Sequence, residues 1–263
     1  MITTLLKADH KVAIEDGELI SYQVAGHEYI HQKGSPGWGS SDTEMFPIIG
    51  PTADAGYRVQ VPRANALQDQ HGILRELEYQ LLSKTENGAI YQKEYKSGTV
   101  VNNSKYPEKS TARLLIWPFN FNFKKEFELV EDGLQITFTV SGERDMPYML
   151  GYHPAFKLHS EQPYLETSEK RISLDEVLAV GSRALEIPDC ARIALMDENS
   201  ITIETEGFGH LMLWTEVPNM ICIEPITFYP YSLPQSKLHE GFDYLAANEK
   251  TFKVLLSPEK TIS

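Results

Sequence analysis

Apolar and polar residues alternate along much of this chain, and the clearest stretch lies near its middle. Leu134, Ile136, Phe138 and Val140 are separated by Gln135, Thr137 and Thr139, while Phe127 and Leu129 share one face just upstream. A period of two residues is that of a strand with one buried face. Between these runs stands Asp132-Gly133, a dipeptide that tolerates positive φ and closes hairpins. The same arrangement recurs twice: segments 11–14 and 19–23 flank Asp16-Gly17, and segments 78–82 and 89–93 flank Asn87-Gly88. Each predicts an antiparallel pair. Segments 200–204, 211–215, 220–224 and 251–256 are rich in β-branched and apolar residues, with Gly, Pro or Asn between them, and read as further strands. The fold class expected is all-β, a large antiparallel sandwich.

One stretch fits two readings. Across residues 64–82, Leu67, Ile73, Leu74, Leu77, Leu81 and Leu82 recur at spacings a helix also uses, so periodicity leaves helix and strand open there. No fixed-period repeat, low-complexity tract or linker-like block divides the chain, and residues 1–263 are read as a single domain. Segments 35–55 and 228–239 read as long loops of the kind that carry function.

Composition narrows the functional classes. With 41% hydrophobic and 23% charged residues the chain can bury a sizeable core. A formal net charge of -13, with Lys and Arg scattered, argues against nucleic acid, although one or two inward-pointing Arg residues would still hold a single phosphate. Cys190 and Cys222 are far apart and lack metal or redox spacing, so they read as reduced core residues. Nothing in the sequence has the length of a membrane span or signal-peptide core, and a cytoplasmic location is the default expectation.

The eight His residues are spread along the chain, none of them in an HxH pair, and no metal is expected. GxGxxG, GxxxxGK[ST] and GxSxG are all absent, leaving dinucleotide, P-loop and serine-hydrolase readings without an anchor. Acid–base chemistry remains. In Gln70-His71-Gly72-Ile73-Leu74-Arg75, Gly151-Tyr152-His153-Pro154-Ala155-Phe156 and Cys222-Ile223-Glu224-Pro225, titratable residues stand beside apolar residues and a Gly or Pro. Taken singly, a His at such a place is more often a hydrogen-bonded turn or core histidine. Glu224 is the sharpest signal, because it ends the apolar run Met220-Ile221-Cys222-Ile223, and a buried carboxylate must be paired, hydrogen-bonded or used.

Taken in order, Phe46-Pro47-Ile48-Ile49-Gly50, His71-Gly72 with Arg75, Gly151-Tyr152-His153-Pro154 with Phe156, and Ile223-Glu224-Pro225 resemble the signatures of aldose 1-epimerases, the galactose mutarotase family. Trp117-Pro118-Phe119 and Trp214 add to the likeness, which runs from about residue 17 onward and is greatest to the LacX-like branch. The resemblance implies a galactose mutarotase-like supersandwich with a sugar cleft on one sheet, and an isomerase that needs no cofactor. It implies Glu224 as base and His153 as acid in opening and closing a pyranose ring, the roles exchanging on closure. By the same likeness His71 and Arg75 bind substrate, and Asp189 matches a sugar-hydroxyl ligand weakly, with Asp197 as a rival.

Trp38, Trp117, Trp214 and Phe156 offer apolar faces for a sugar, with core packing the commoner role for such residues. Where many relatives carry Arg or Lys after the Phe-Pro-x-x-Gly turn, this chain has Pro51-Thr52. The partner expected is a small sugar or sugar phosphate. The alternatives are a non-catalytic carbohydrate-binding protein on the same scaffold and a hexose-6-phosphate epimerase.

Overall fold

The computed structural model describes residues 1–259. Two antiparallel sheets face each other. The larger has nine strands, in the order Arg171–Ser173, Tyr164–Glu166, Arg192–Met196, Ile201–Glu206, Glu249–Pro258, Leu134–Gly142, Phe121–Leu129, Gly88–Tyr95 and Gln80–Lys84. The smaller runs Leu185–Pro188, His210–Trp214, Met220–Ile226, Gly151–Tyr152 and Glu44–Met45, with Ala155–Lys157 also paired to Met220–Ile226. A four-stranded sheet from Ile2–Lys7 to His27–Glu28 precedes them.

Alternation builds the core between the sheets. In Phe121–Leu129 the residues Phe121, Phe123, Phe127 and Leu129 are buried while Asn122, Lys124, Glu126 and Glu128 face solvent. Their rings meet those of the opposite sheet: Phe138 lies 4.9 Å from Tyr152 and Phe123 lies 5.6 Å from Phe46, centroid to centroid. A single hydrophobic cluster extends from Leu5 to Leu256.

The predicted hairpins form, with one adjustment. Asp16 and Gly17 both take positive φ, at 47° and 86°, between strands His10–Glu15 and Glu18–Val24. Gly133 links Phe121–Leu129 to Leu134–Gly142 at φ 150°, and any β-carbon there would stand 2.0 Å from the Leu256 carbonyl oxygen. The middle hairpin turns earlier than Asn87-Gly88 suggests. Gly88 already belongs to its strand and accepts from the Thr85 amide, so the tip is residues 85–88.

The ambiguous stretch at 64–82 resolves into strand Ala64–Leu67, a 3-10 turn Ile73–Glu76 and strand Gln80–Lys84. Ile73 and Leu74 are buried whereas Leu81 and Leu82 are exposed, so these leucines share no helical face. Helix is confined, apart from 3-10 turns, to Leu174–Val180 among the described residues, opened by a Ser173–Glu176 capping box. No helix there is long and apolar enough to cross a membrane.

One buried residue breaks the apolar pattern. Lys125 occupies an inward position of Phe121–Leu129 and is 0% exposed, with Nζ 2.7 Å from Asp42 Oδ2 and 2.6 Å from Glu44 Oε1. Asp42 also accepts from the Tyr152 hydroxyl at 2.8 Å and the Leu19 amide at 3.1 Å. A buried ion cluster of this kind is tolerated only when its partners are all in place. It ties the large sheet to the strand pair Glu44–Met45 and Gly151–Tyr152, immediately before His153.

Candidate active site

Register explains why His153 and Glu224 meet. Gly151 pairs with Ile226, and Ala155 pairs with Cys222. Both pairings belong to one antiparallel alignment, in which residue 153 falls opposite residue 224. Pro154 has no amide proton to continue the ladder, but its carbonyl accepts from the Ile223 amide and holds the strands together. Residues opposite each other on antiparallel strands present side chains to the same face. His153 Nε2 and Glu224 Oε1 are 3.4 Å apart.

Both side chains are buried, at 7% and 1% exposure. Burial pushes the Glu224 carboxyl well above its usual range, opposed by the Arg75 guanidinium, and pushes the His153 imidazole well below its own. Both shifts favour the uncharged forms. His153 Nδ1 and Glu224 Oε2 have no hydrogen-bond partner among the described residues.

His71 reaches the same cleft from a different part of the chain. The 46–50 turn and the 70–75 segment are knitted together: the Phe46 amide donates to the His71 carbonyl, the Leu74 amide to the Phe46 carbonyl, and the His71 amide to the Gly50 carbonyl. Gly72 makes this approach possible, since a β-carbon there would lie 2.3 Å from the Phe46 carbonyl oxygen, at a φ of 81°. The Gly50 amide donates to His71 Nδ1 at 3.1 Å. A neutral His71 therefore carries its proton on Nε2, which lies 3.1 Å from the Gln70 carboxamide nitrogen. Burial, then the nearby Arg75, keeps the His71 imidazole well below its usual pKa. It is a neutral hydrogen-bond donor rather than an acid.

Arg75 is half-buried, and burial lowers it to about 10, which leaves it a cation at neutral pH. Its Nε donates to the Glu44 carbonyl at 3.4 Å.

The cleft has a volume of about 320 Å³. Trp38 lies over His153, ring centroids 4.3 Å apart and 30° between planes, and Trp214 meets the same imidazole edge-on at 6.1 Å. Aromatic walls around a few convergent polar groups are what a small-ligand site needs. Trp117 and Phe156, by contrast, are fully buried in the core.

Of the residues singled out in the sequence, His71, Arg75, His153 and Glu224 line this one cleft. Asp189 does not join them. It is exposed, at the far end of Leu185–Pro188 from the cleft-lining Ala184. Asp197 caps the His159 and Ser160 amides instead. Lys105 and Tyr231 line the cleft without having been singled out. Tyr231 lies in the 228–239 segment read as a functional loop, whereas Lys105 stands in a polar stretch with no distinguishing pattern. A larger cavity of about 530 Å³ shares Arg75 but is lined by Asp42, Glu44, Tyr79 and Lys93 and contains neither His153 nor Glu224.

Comparison with known proteins agrees with this architecture. Among solved structures, a galactose mutarotase-like protein from Lactobacillus casei superposes with a TM-score of 0.78 at 18% identity, covering 98% of this chain and 100% of its own. A galactose mutarotase related enzyme from Lactobacillus acidophilus gives 0.77 at 17% identity, covering 99% and 98%. A galactose mutarotase-like protein from Clostridium acetobutylicum gives 0.65 at 13%, covering 99% of each chain. These likenesses establish a mostly β, galactose mutarotase-like fold. No curated protein matches the chain. The family model for aldose 1-epimerase matches residues 17–194, which include His71, Arg75 and His153 and stop short of Glu224. Because that match spans more than half of its length, the chain belongs to the aldose 1-epimerase family.

Proposed function

We infer that this protein interconverts the α and β anomers of a hexose, with Glu224 and His153 as its acid–base pair. The observation that carries this reading is the 3.4 Å approach of Glu224 Oε1 to His153 Nε2 inside one aromatic-walled cleft. Ring opening removes a proton from the C1 hydroxyl and adds one to the ring oxygen, two oxygens bonded to the same carbon. A pair of groups this close spans both.

The pair needs one proton between them. Glu224 as carboxylate takes the C1 hydroxyl proton while the His153 imidazolium gives its own to the ring oxygen; the C1–ring oxygen bond breaks and C1 becomes a carbonyl. Rotation about C1–C2 and the reverse transfers close the ring on the other face and restore both side chains. Burial favours that proton on the carboxyl, raising Glu224 and lowering His153. The Arg75 guanidinium draws Glu224 back toward the carboxylate, and the sugar's hydroxyls supply the hydrogen bonds that water would otherwise give it. His71 Nε2–H and Arg75 bind neighbouring oxygens of the sugar. Positioned proton transfers of this type contribute on the order of 10²–10⁴-fold in rate.

The motif set fits the LacX-like branch, from which Pro51 after the Phe46–Gly50 turn departs, and the chain is read as one cytoplasmic domain. A second reading rests on Lys105, which lines the cleft with Arg75. Two cations on one wall suit an anionic substituent, as in a hexose 6-phosphate.

Proton exchange spectroscopy on a panel of equilibrated free hexoses and hexose 6-phosphates tests both readings. Enzyme-dependent exchange between anomeric signals identifies the substrate. A Lys105→Ala variant that raises KM for a sugar phosphate and leaves a neutral sugar unaffected supports the second reading. Absence of exchange with every sugar, together with retained sugar binding, supports a binding protein instead.

A further inference from the structure

Cys222 has no part in the acid–base scheme, yet it shares a side of Met220–Ile226 with Glu224, two residues away on the same strand. In the alignment that sets His153 opposite Glu224, Cys222 is the diagonal neighbour of His153. The imidazole nitrogen, the thiol sulfur and a carboxylate oxygen all lie within 4.8 Å of one another, and all three residues are buried. His153 Nδ1 and Glu224 Oε2, the remaining polar atoms of two of them, are buried without hydrogen-bond partners among the described residues. A sequence scan for metal motifs does not detect this group, because its members come from strands 69 residues apart (222 against 153).

We propose that His153, Cys222 and Glu224 form a binding site for a thiophilic divalent cation of the Zn²⁺ class, with its fourth coordination position open to the cleft. Zn²⁺ holds nitrogen and oxygen ligands at roughly 2.0–2.2 Å, so at the tetrahedral angle two such ligands stand roughly 3.3–3.5 Å apart. The Nε2–Oε1 separation of 3.4 Å is one edge of that tetrahedron, and is long for a hydrogen bond. Sulfur joins at about 2.3 Å from the ion, within reach of a modest side-chain rotation. The donor set excludes Mg²⁺ and Ca²⁺, which take oxygen ligands, and three protein ligands leave the fourth position for water.

Charge favours the same ion. Burial disfavours an isolated charge on either the Cys222 thiol or the Glu224 carboxyl. A complex of one 2+ ion, one thiolate and one carboxylate is neutral overall in a buried place. Binding through deprotonated ligands releases protons and strengthens as pH rises. The ion occupies both atoms assigned to proton transfer, so it inhibits anomer exchange. That inhibition rests on the catalytic reading above; the binding does not.

The test uses Co²⁺ as a spectroscopic probe, with Cys190→Ser as the background. Cys190 is the other thiol, half-buried and bonded to the Arg192 carbonyl, outside the cleft. The expected result is one Co²⁺ per chain, strong visible bands of a four-coordinate ion, a near-ultraviolet thiolate-to-cobalt band, and displacement by Zn²⁺. Adding Cys222→Ser removes the near-ultraviolet band and weakens Zn²⁺ binding by at least about 100-fold, with folding checked by thermal melting. Absence of the near-ultraviolet band in the Cys190→Ser protein, or equal Zn²⁺ affinity after Cys222→Ser, overturns the proposal. If the double variant does not fold, the band and the stoichiometry of the background protein decide alone. Zn²⁺ binding that leaves anomer exchange intact sustains the site and contradicts the catalytic roles of His153 and Glu224.

Discussion

His153 and Glu224 stand directly opposite each other in one antiparallel register, although Pro154 interrupts the ladder between them. Their side chains consequently share a face and meet at 3.4 Å under Trp38. Two residues distant in the chain become one titrating unit, and its burial has consequences for both stability and catalysis.

Glu224 costs the fold stability at neutral pH. Its carboxyl is raised above the ordinary 4.5 by burial, so the folded state holds a proton that the unfolded state releases as pH passes that value. Stability therefore falls with rising pH from about 4.5 upward, until the folded carboxyl also ionises. Glu224→Gln removes this term. The variant is expected to melt at a higher temperature than wild type at pH 8 and at nearly the same temperature at pH 4, as measured by calorimetry across that range. The activity lost and the stability gained would be two readings of the same burial.

The pH dependence of kcat/KM follows from the same two shifts. The pair is competent while it holds one proton. A second proton is acquired only below the ordinary imidazole value of 6.5, because burial lowers His153. The single proton is lost only well above the ordinary carboxyl value of 4.5, because burial raises Glu224. The acid limb of the profile is expected below pH 6.5. An acid limb centred above that value contradicts the assignment.

Lys125 is the structural keystone behind His153. Lys125→Met leaves Asp42 and Glu44 buried without their shared cation, and removal of one partner from a buried ion cluster typically costs about 3–5 kcal/mol. Urea unfolding is expected to show a loss of that size. A loss below about 1 kcal/mol is what a surface ion pair would give and contradicts this role.

Gly72→Ala tests the joint between the 46–50 turn and the His71 segment. The new methyl meets the Phe46 carbonyl oxygen at 2.3 Å, at a φ that L-residues rarely adopt. Both melting temperature and kcat/KM are expected to fall, the second because His71 Nε2–H is displaced from the cleft.

Much of this architecture is legible in the sequence, and the exceptions have physical causes. Strict alternation in Leu134–Gly142 and the Asp-Gly turns specify the hairpins locally, and those form. The leucines of 64–82 mislead because both periods match when three short elements follow one another. Glu224 is visible as a carboxylate ending an apolar strand, since burial without a partner is unusual enough to stand out in one dimension. Lys125 carries the same kind of signal, a charge at an inward position between Phe123 and Phe127, legible only once the strand's facing is settled. Asp189 resembled a sugar ligand by local spelling, yet a strand of four residues carries it away from the cleft. Lys105 has no one-dimensional signal, because only tertiary packing brings residues 103–105 beside Asp69, Gln70 and Glu76. The convergence of Cys222 with His153 depends on register and was equally invisible.

The most direct test of the central claim is the rate of α/β exchange of the identified sugar with Glu224→Gln, measured by proton exchange spectroscopy beside its binding affinity. The expected result is a fall in kcat on the order of 10²–10⁴-fold with sugar affinity changed little. A variant that binds the sugar equally well and still exchanges its anomers at the wild-type rate would contradict the account.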